Sequence, residues 1–333
     1  MQVLRYVAGV SGNHFLSLLK DDLERIEDAI VQNLSSHVPF ISNVSRYILF
    51  SGGKRVRPLL MILAARMCGY TGDHEYGLSA IFEYLHAATL LHDDVVDNAE
   101  IRRGKAPAKD VYGNQAVILV GDFLYSKSLL ISTLQGDIRI MEPLLEATTL
   151  MAEGEVLQLL NEENLEIGEE EYMQVIHRKT AVLMAAACQV GAILGSVSRE
   201  KEAAMRAYGE NIGMSFQLTD DILDYTGSVG EFGKKVGNDF KEGKVTLPLI
   251  HALRRSNQND LKRIREIFLR KRIKQAEFIE AKDLIEKYGG FEYTRRLAQN
   301  ASNKAKDDLA LFPPSPTKEI LSAIADYIVE RRK

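Results

Sequence analysis

The chain has 333 residues and a formal net charge of −4, with 46% hydrophobic and 26% charged residues. This composition is typical of a globular protein and excludes a disordered or collagen-like chain. The net charge is mildly acidic and gives no excess of basic residues of the kind that binds nucleic acid, so we expect no nucleic-acid partner. The two cysteines, Cys68 and Cys188, are too few for a disulfide framework or a cysteine-rich zinc site, and we expect a cytoplasmic protein.

Helical periodicity of apolar residues runs along almost the whole chain. A stripe of apolar side chains extends from Leu16 to Leu34 in steps of three or four residues. The same spacing predicts helices over residues 58–67, 76–97, 115–134, 138–160, 170–194, 200–225 and 317–332. No alternating run is long enough to form a sheet, and no linker of disordered composition divides the chain. The sequence therefore predicts an all-α protein in which residues 1–333 form a single domain.

No membrane-spanning segment is expected. Residues 1–19 are interrupted by charged and polar side chains, so they form no signal-peptide core. Residues 180–198 carry no charge and are long enough to span a bilayer, but they are rich in alanine and glycine and contain Gln189. We interpret this stretch as a buried helix of a soluble protein.

Glycine and cationic residues gather just before the helix predicted at residue 58. Gly52 and Gly53 are followed by Lys54, Arg55 and Arg57. Glycine lets the backbone approach an anion closely, and the cations can neutralise it. This segment is a candidate phosphate site.

An aspartate motif occurs twice, each time at the end of a long apolar helix. Its members are Asp93, Asp94 and Asp97 in the first copy and Asp220, Asp221 and Asp224 in the second. Residues i and i+4 share a helix face, so each copy places two carboxylates side by side, and their repulsion costs roughly a few tenths of a kcal/mol on an exposed helix. Magnesium removes that cost, prefers oxygen ligands and commonly bridges to phosphate. The two motifs therefore predict a magnesium site for a phosphorylated substrate.

Further cations lie beside the two motifs. Arg102 and Arg103 follow the first copy, and Lys179 begins the uncharged stretch. Lys234 and Lys244 lie in and directly after the glycine-rich stretch 227–243, which follows the second copy. Any one of them would usually be a solvated surface charge, but their positions next to the aspartates favour a role in phosphate binding.

These motifs together resemble those of the trans-prenyl diphosphate synthases, the polyprenyl synthetase family, over about Val44 to Leu253. The matching segments are Gly52–Pro58, Asp93–Asp97 with Arg102–Gly104, Gly121–Phe123, Lys179–Thr180, Phe216–Asp224 and Gly233–Pro248. The resemblance implies the isoprenoid synthase fold, a single bundle of long antiparallel helices around a central cavity, and a homodimer. It also implies Mg²⁺ as the cofactor, with three ions when diphosphate is bound.

The resemblance further implies a prenyltransferase. In the reaction of this family an allylic diphosphate ionises and isopentenyl diphosphate adds to it head to tail, so that the chain grows by one five-carbon unit. This chemistry needs cations around the leaving diphosphate and an apolar cavity that keeps water from the carbocation. Beyond the two substrates, a peripheral membrane contact for product release is compatible with this assignment.

The resemblance also assigns roles to individual residues. The catalytic set is Asp93, Asp94, Asp97, Lys179 and Asp220. Magnesium would be held directly by Asp93, Asp97 and Asp220, with Asp224, Asp94 and Asp221 supporting the metal shell through water. The allylic diphosphate would bind Arg102, Lys179 and Lys234, and isopentenyl diphosphate would bind Gly53, Lys54, Arg57, His86 and Arg103. Thr180 and Gln217 would lie with Lys179 near the cationic carbon, and Asp239 and Lys244 would order the glycine-rich loop over the substrates.

Product length is expected to depend on the helix turn before Asp93. The side chains four and five residues earlier, Thr89 and Ala88, lie on or near the same helix face and are small, which leaves room for a tunnel. Leu129, on the helix predicted over 115–134, would form the floor of this tunnel. We expect an all-trans product of about thirty to fifty carbons, with eight isoprene units favoured, made for quinone side chains.

Three alternatives stay open. A short-chain synthase, with a product of fifteen or twenty carbons, would share every motif. A terpene cyclase would not need the second diphosphate site that Lys54, Arg57 and Arg103 predict. A non-catalytic helical partner subunit should have lost aspartates or cations, and this chain retains both sets.

Overall fold

Helices form almost all of the regular structure. A computed structural model describes residues 13–98, 102, 104–227 and 237–331, and these residues contain no β-strand, which confirms the predicted all-α class. The helices are α1 (Asn13–Asn33), α2 (Pro39–Leu49), α3 (Val56–Met67), α4 (Glu75–Val96), α5 (Ala108–Tyr112), α6 (Asn114–Thr133), α7 (Ile138–Leu160), α8 (Glu169–Ile176), α9 (Val182–Leu194), α10 (Arg199–Thr226), α11 (Asn238–Lys241), α12 (Leu247–Arg255), α13 (Gln258–Phe268), α14 (Gln275–Lys287), α15 (Gly290–Asp308) and α16 (Pro316–Glu330).

The bounds of the long helices follow the periodicity of the sequence closely. Helix α7 has its predicted bounds, and α10 extends one residue beyond each predicted end. The side chain of Ser198 caps α10 by accepting a hydrogen bond from the backbone N–H of Lys201. Helix α2 is absent from the prediction. The predicted helix 170–194 is interrupted by a π-helical turn, His177–Ala181, which lies between α8 and α9.

The uncharged stretch forms the buried helix α9, as the sequence predicts. Every residue of α9 except Gln189 and Leu194 is buried. Gly191 lets α9 approach α3 closely, because a Cβ atom at this position would lie 2.4 Å from the carbonyl oxygen of Met61. The lack of charge in this stretch is therefore explained by packing inside the helical bundle.

Helix α10 connects the two hydrophobic clusters of the core. Tyr208 and Ile212 belong to the larger cluster, and Leu218 and Tyr225 belong to the second. The Tyr208 hydroxyl donates a hydrogen bond of 2.9 Å to the carbonyl oxygen of Leu321 and so ties α10 to α16. The two aspartate motifs lie near the C-terminal ends of α4 and α10.

Helix α6 is the one described helix that is long and apolar enough to cross a membrane, judged by length and composition alone. Only 33% of its most apolar 18-residue stretch is buried, so much of the apolar surface of the helix faces outward. Core helices and interface helices of soluble proteins meet the same criterion. A single helix of this kind is therefore weak support for a membrane span.

Candidate active site

The first aspartate motif lies at the C-terminal end of α4. Asp93 belongs to the last turn, and Asp97 follows the helix, its backbone N–H donating to the carbonyl oxygen of Asp93 at 2.8 Å. Burial raises the pKa of Asp93 to about 7. The positive charge of Lys179 lowers this pKa, and the carboxylates of Glu155 and Asp97 raise it. Asp93 thus lies close to a second carboxylate of its own motif and needs a cation to stay ionised at neutral pH.

The middle aspartate of each motif is turned into the protein. Asp94 is fully buried and accepts hydrogen bonds from the guanidinium of Arg102, the closest at 2.6 Å. Asp221 is buried in the same way and accepts from the Tyr172 hydroxyl and, at 2.9 Å, from the amide of Gln217. Burial, together with the charge of Asp239, raises the pKa of Asp221 well above its usual range. These two carboxylates bind protein donors, and Arg102 is already paired before any substrate is considered.

The second motif lies beside Lys54 of the basic segment and beside Arg331, which follows the last helix. Asp220 accepts a hydrogen bond of 2.6 Å from Arg331, whose guanidinium also donates to the carbonyl oxygen of Phe216 at 2.8 Å. Burial lowers the pKa of Lys54, the nearby charge of Arg331 lowers it further, and Asp220 opposes the shift. Lys54, Asp220 and Arg331 are therefore neighbours, although they are far apart in sequence.

Arg331 is a site residue that the sequence analysis omits. Its side chain is 4% exposed and stacks on the ring of Phe216, with the guanidinium carbon 3.9 Å from the ring centre. A basic residue at a chain terminus is usually solvated. In the sequence Arg331 lies within the helix predicted over residues 317–332, and that pattern does not distinguish it from a solvated basic side chain.

Lys244 contacts both the first aspartate motif and a glutamate of its own segment. Its ammonium donates to Asp97 at 2.8 Å and to Glu242 at 3.0 Å. Burial alone would lower the pKa of Lys244, but the carboxylates of Asp239, Asp97 and Glu242 outweigh it and raise the pKa above its usual value. This lysine links the segment after the second motif to the first motif, where the sequence analysis expects a loop that covers the substrates.

Asp224 caps the short helix that follows the glycine-rich stretch. Its two carboxylate oxygens accept from the backbone N–H groups of Asn238 at 3.1 Å and Asp239 at 3.2 Å. The backbone carbonyl of Asp224 accepts from the N–H of Gly237 at 2.7 Å. Asp224 thereby fixes where the chain returns to the site after the second motif.

The π-helical turn presents Lys179 and Thr180. The ammonium of Lys179 pairs with Glu155 of α7 at 2.8 Å, and the Thr180 hydroxyl donates to Gln217 at 2.9 Å. Gly154 allows α7 to pass this close, since a Cβ atom there would lie 2.9 Å from the backbone nitrogen of Lys179. π-Helical turns within helices are frequent at functional sites. Lys179, Thr180 and Gln217 are brought together as expected, and Glu155 is an additional member that the sequence analysis does not identify.

One cation of the candidate phosphate segment, Arg55, points away from the site. Arg55 does not join the phosphate-binding cations, which corrects the sequence-based interpretation, because its guanidinium is buried against two glutamates. Arg57 and His86 are half-buried and Gly53 is exposed. Arg103 and Lys234 lie outside the described residues, so their roles stay predictions.

The residues predicted to set product length lie between α4 and α6. Ala88 is completely buried, and Thr89 is half-buried with its hydroxyl donating to the carbonyl oxygen of His86 at 2.8 Å. Leu129 is half-buried on α6. Ser128 beside it is fully buried and donates a hydrogen bond of 2.8 Å to the carbonyl oxygen of Leu124. Ser128 also approaches the carbonyl oxygen of Ile81 of α4 at 3.5 Å, so a small side chain lies at the contact between the two helices, while the role of Ala88, Thr89 and Leu129 in product length stays a prediction.

The acidic groups fit a hard divalent cation that is shared with a substrate. Asp93, Asp97 and Asp220 offer only oxygen donors, and each of the latter two already pairs with a side-chain cation. Within the part of the chain that the structure describes, no three potential ligands converge into a complete metal centre. Magnesium usually takes a few carboxylates and completes its shell with water and phosphate oxygens, so this open arrangement matches its preferences.

The raised pKa of Asp93 predicts a pH-dependent stability without metal. The folded protein binds this proton more tightly than the unfolded chain, so stability decreases as the pH rises from about 4 to about 7. Asp93→Asn removes the charge. We expect its gain in Tm over the wild type, measured without divalent ions, to be larger at pH 8 than at pH 5. An equal gain at both pH values would contradict the assigned pKa, and Asp73→Asn, at an exposed aspartate, is the matched control.

Comparison with known proteins shows likeness over nearly the whole chain. A family model described as Polyprenyl synthetase matches residues 38–285. The octaprenyl diphosphate synthase of Escherichia coli (strain K12) is 40% identical over 321 residues, which cover 94% of this chain and 97% of that protein. The short chain isoprenyl diphosphate synthase of Methanothermobacter thermautotrophicus is 35% identical, covering 95% of this chain and 98% of its own.

A solved structure extends the likeness to three dimensions. The polyprenyl synthase from Caulobacter crescentus CB15, complexed with calcium and isoprenyl diphosphate, superposes with a TM-score of 0.91. It is 38% identical, and the superposition covers 99% of this chain and 98% of that one.

Proposed function

Since the chain belongs to the polyprenyl synthetase family, we propose that it condenses isopentenyl diphosphate with an allylic diphosphate to make octaprenyl diphosphate. Membership of the family makes the protein a prenyltransferase with the all-α isoprenoid synthase fold. The forty-carbon length is supported by the 40% identity to the octaprenyl diphosphate synthase of Escherichia coli. We propose quinone side chains as the destination of the product and the cytoplasm as its location.

Two lysines that lie beside different aspartates are the observation that carries this proposal. Lys179 lies beside Asp93, whose pKa it lowers, while Lys54 lies beside Asp220. Two diphosphates bring strong negative charge into one cavity, and each needs its own positive partners. We assign Lys179, with Arg102 and Lys234, to the allylic diphosphate. We assign Lys54, with Gly53, Arg57, His86 and Arg103, to isopentenyl diphosphate.

The chain's own groups support ionisation of the allylic diphosphate. The ammonium of Lys179 is positioned to stabilise the negative charge that develops on the leaving group. The family uses a divalent metal, and we propose Mg²⁺, three ions with diphosphate bound, held by Asp93, Asp97, Asp220 and Asp224. When bound, Mg²⁺ would neutralise charge on the same diphosphate oxygens. The hydrogen-bonded pair of Thr180 and Gln217 would face the carbocation, and the apolar helix walls would exclude water.

Dependence on both substrates tests this function. Diphosphate release should require isopentenyl diphosphate together with an allylic primer, because chain growth consumes both. A terpene cyclase would release diphosphate from the allylic substrate alone. No release with both substrates present, with magnesium, would support the non-catalytic partner subunit.

Arg57 provides a test of the substrate assignment. Arg57→Ala should raise the KM for isopentenyl diphosphate about tenfold or more, because a charged hydrogen bond to phosphate is worth roughly 1.5–3 kcal/mol, and should change the allylic KM much less. Steady-state kinetics with each substrate varied in turn measures both values. An equal rise in both KM values, or a rise in the allylic KM alone, would contradict the partition.

Ala88 provides a test of product length. Ala88→Phe should fill the space between α4 and α6 and shift the product to twenty carbons or fewer while turnover continues, since a phenylalanine ring blocks a tail that passes this turn. Leu129→Ala, at the proposed floor, should lengthen the product instead. Product chromatography measures both. A folded, active Ala88→Phe variant that still makes the wild-type product would show that the tail passes elsewhere.

An apolar face on α6 and α7 supports the proposed homodimer. Its most exposed members include Leu119 at 67%, Leu134 at 74% and Ile138 at 73%. Large exposed apolar patches are rare on monomeric proteins and usually mark an interface. A second copy of the chain would cover this face through a two-fold contact. We also propose that all helices form one domain, since α10 contributes to both core clusters.

A further inference from the structure

Arg55 lies in the middle of the basic segment but points away from the site. Its side chain is 4% exposed. The guanidinium donates to Glu27 of α1 at 2.7 Å, to Glu83 of α4 at 2.5 Å and to the carbonyl oxygen of Leu49, the last residue of α2, at 2.6 Å. One arginine therefore ties the start of α3 to three other helices.

The charge of Arg55 is satisfied inside the protein. Glu83 is buried like the arginine, and its side chain is 7% exposed. The planar guanidinium can serve two carboxylates and a carbonyl at once, which the ammonium of lysine cannot do with the same geometry. Arg55 therefore contributes no positive charge to a substrate, which distinguishes it from Lys54 and Arg57 on either side of it.

The backbone of Arg55 is held in the left-handed region. Its φ is 50° and its ψ is 35°, directly before the first residue of α3. A residue other than glycine adopts this conformation only at a cost, and such a conformation persists where the surroundings enforce it. The ion pairs with Glu27 and Glu83 are the contacts that enforce it here. The same contacts hold the turn next to Lys54, which lies beside Asp220.

We propose that Arg55 is a positioning residue for isopentenyl diphosphate, which fixes the turn that presents Lys54 and Arg57 to the substrate. This inference rests on the proposed function. It deepens that function by adding a residue that acts on one of the two substrates without touching it. Loosening the turn should displace both cations, so the KM for isopentenyl diphosphate should rise while the allylic site keeps its geometry.

A second arginine contact between the same helices provides the matched control. We call the contacts of Arg55 with Glu27 and Glu83 the Arg55 fork, and those of Arg66 with Asp22 the Arg66 fork. Arg66, on α3, donates to the two oxygens of Asp22 at 2.8 and 3.0 Å, and Tyr76 of α4 donates to Asp22 at 2.6 Å. This fork also joins α1, α3 and α4, but it lies eleven residues further along α3, about 16 Å from Arg55 by helical rise. Loss of either fork should lower thermal stability. Only the loss of the Arg55 fork should affect substrate binding.

The experiment measures both KM values and kcat for Glu83→Gln, Arg55→Lys and the control Asp22→Asn. We expect the first two to raise the isopentenyl KM about tenfold, as expected for a weakened charged contact to phosphate, with the allylic KM and kcat changed less than about threefold. The control should lose Tm with both KM values unchanged. An isopentenyl KM within twofold of wild type in the first two variants, or an equal rise of both KM values, would overturn the proposal.

A glycine variant separates the fork from the backbone conformation. Glycine adopts a φ of +50° without strain but provides no guanidinium. Arg55→Gly should therefore raise the isopentenyl KM like Arg55→Lys, and a wild-type KM would overturn the role of the fork. If a buried substitution prevents folding, Glu27→Gln, at a carboxylate 41% exposed, should give a smaller rise of the same KM, and no rise would count against the proposal. A wild-type protein that does not use isopentenyl diphosphate would instead refute the proposed function.

Discussion

Replacing Asp93 or Asp220 by alanine is expected to lower kcat by about three orders of magnitude while the fold stays intact, because loss of metal-assisted and electrostatic stabilisation of a leaving group has effects of this size. Each residue offers carboxylate oxygens near the C-terminal end of its helix, Asp93 on α4 and Asp220 on α10. Asp220 is 42% exposed, so its loss leaves no cavity in the core. Turnover at saturating magnesium and the circular dichroism spectrum are the measurements.

The control for these variants is Asp73→Ala. Asp73 is exposed at 87% and precedes the opposite end of α4, so this variant should keep wild-type turnover. Turnover near wild type in Asp93→Ala or Asp220→Ala would contradict the assignment of the motifs to the metal.

The second large effect is expected for Lys179→Met, which should lower kcat about hundredfold, the usual cost of removing one preorganised group that stabilises developing charge. Methionine keeps an unbranched chain as far as the Cε atom and removes the ammonium that pairs with Glu155. Arg178→Met in the same π-helical turn is the matched control, since Arg178 contacts Glu153 at 3.6 Å and Gln174 of α8 at 3.3 Å but neither aspartate motif in any described contact. A similar loss in both variants would indicate damage to the turn and would contradict a specific role for Lys179.

The helices and the two aspartate motifs are properties that the sequence reveals locally. Apolar spacing predicts α7 to the residue, and the i, i+4 rule places Asp93 near Asp97. These features depend on contacts within one helix. They can therefore be recognised before any tertiary structure is known.

The parts that could not be predicted depend on packing between distant segments. Arg55 and Arg57 are chemically identical, and only the positions of Glu27 and Glu83 turn the former inward. The π-helical turn at Lys179 packs closely against α7 at Gly154, a contact between distant segments that periodicity does not register. Arg331 reaches Asp220 only because α16 ends beside Phe216.

The inward orientation of the Asp94 and Asp221 side chains is a further feature that depends on packing between distant segments. Each motif reads as three equivalent carboxylates in sequence, yet the middle one binds Arg102 in the first copy and Tyr172 in the second. A buried carboxylate must find a partner, and which partner it finds is decided by the neighbouring elements. In each motif the middle carboxylate is buried and binds the protein, and the outer carboxylates Asp93, Asp97 and Asp220 are those we propose as metal ligands.

Chromatography of the products formed from labelled isopentenyl diphosphate and an allylic primer, with magnesium, tests the central claim most directly. The purified protein should incorporate about seven isopentenyl units per primer of five carbons and yield mainly a forty-carbon all-trans diphosphate. A product that stops at fifteen carbons would contradict the long-chain assignment. Absence of any incorporation would contradict the synthase activity itself.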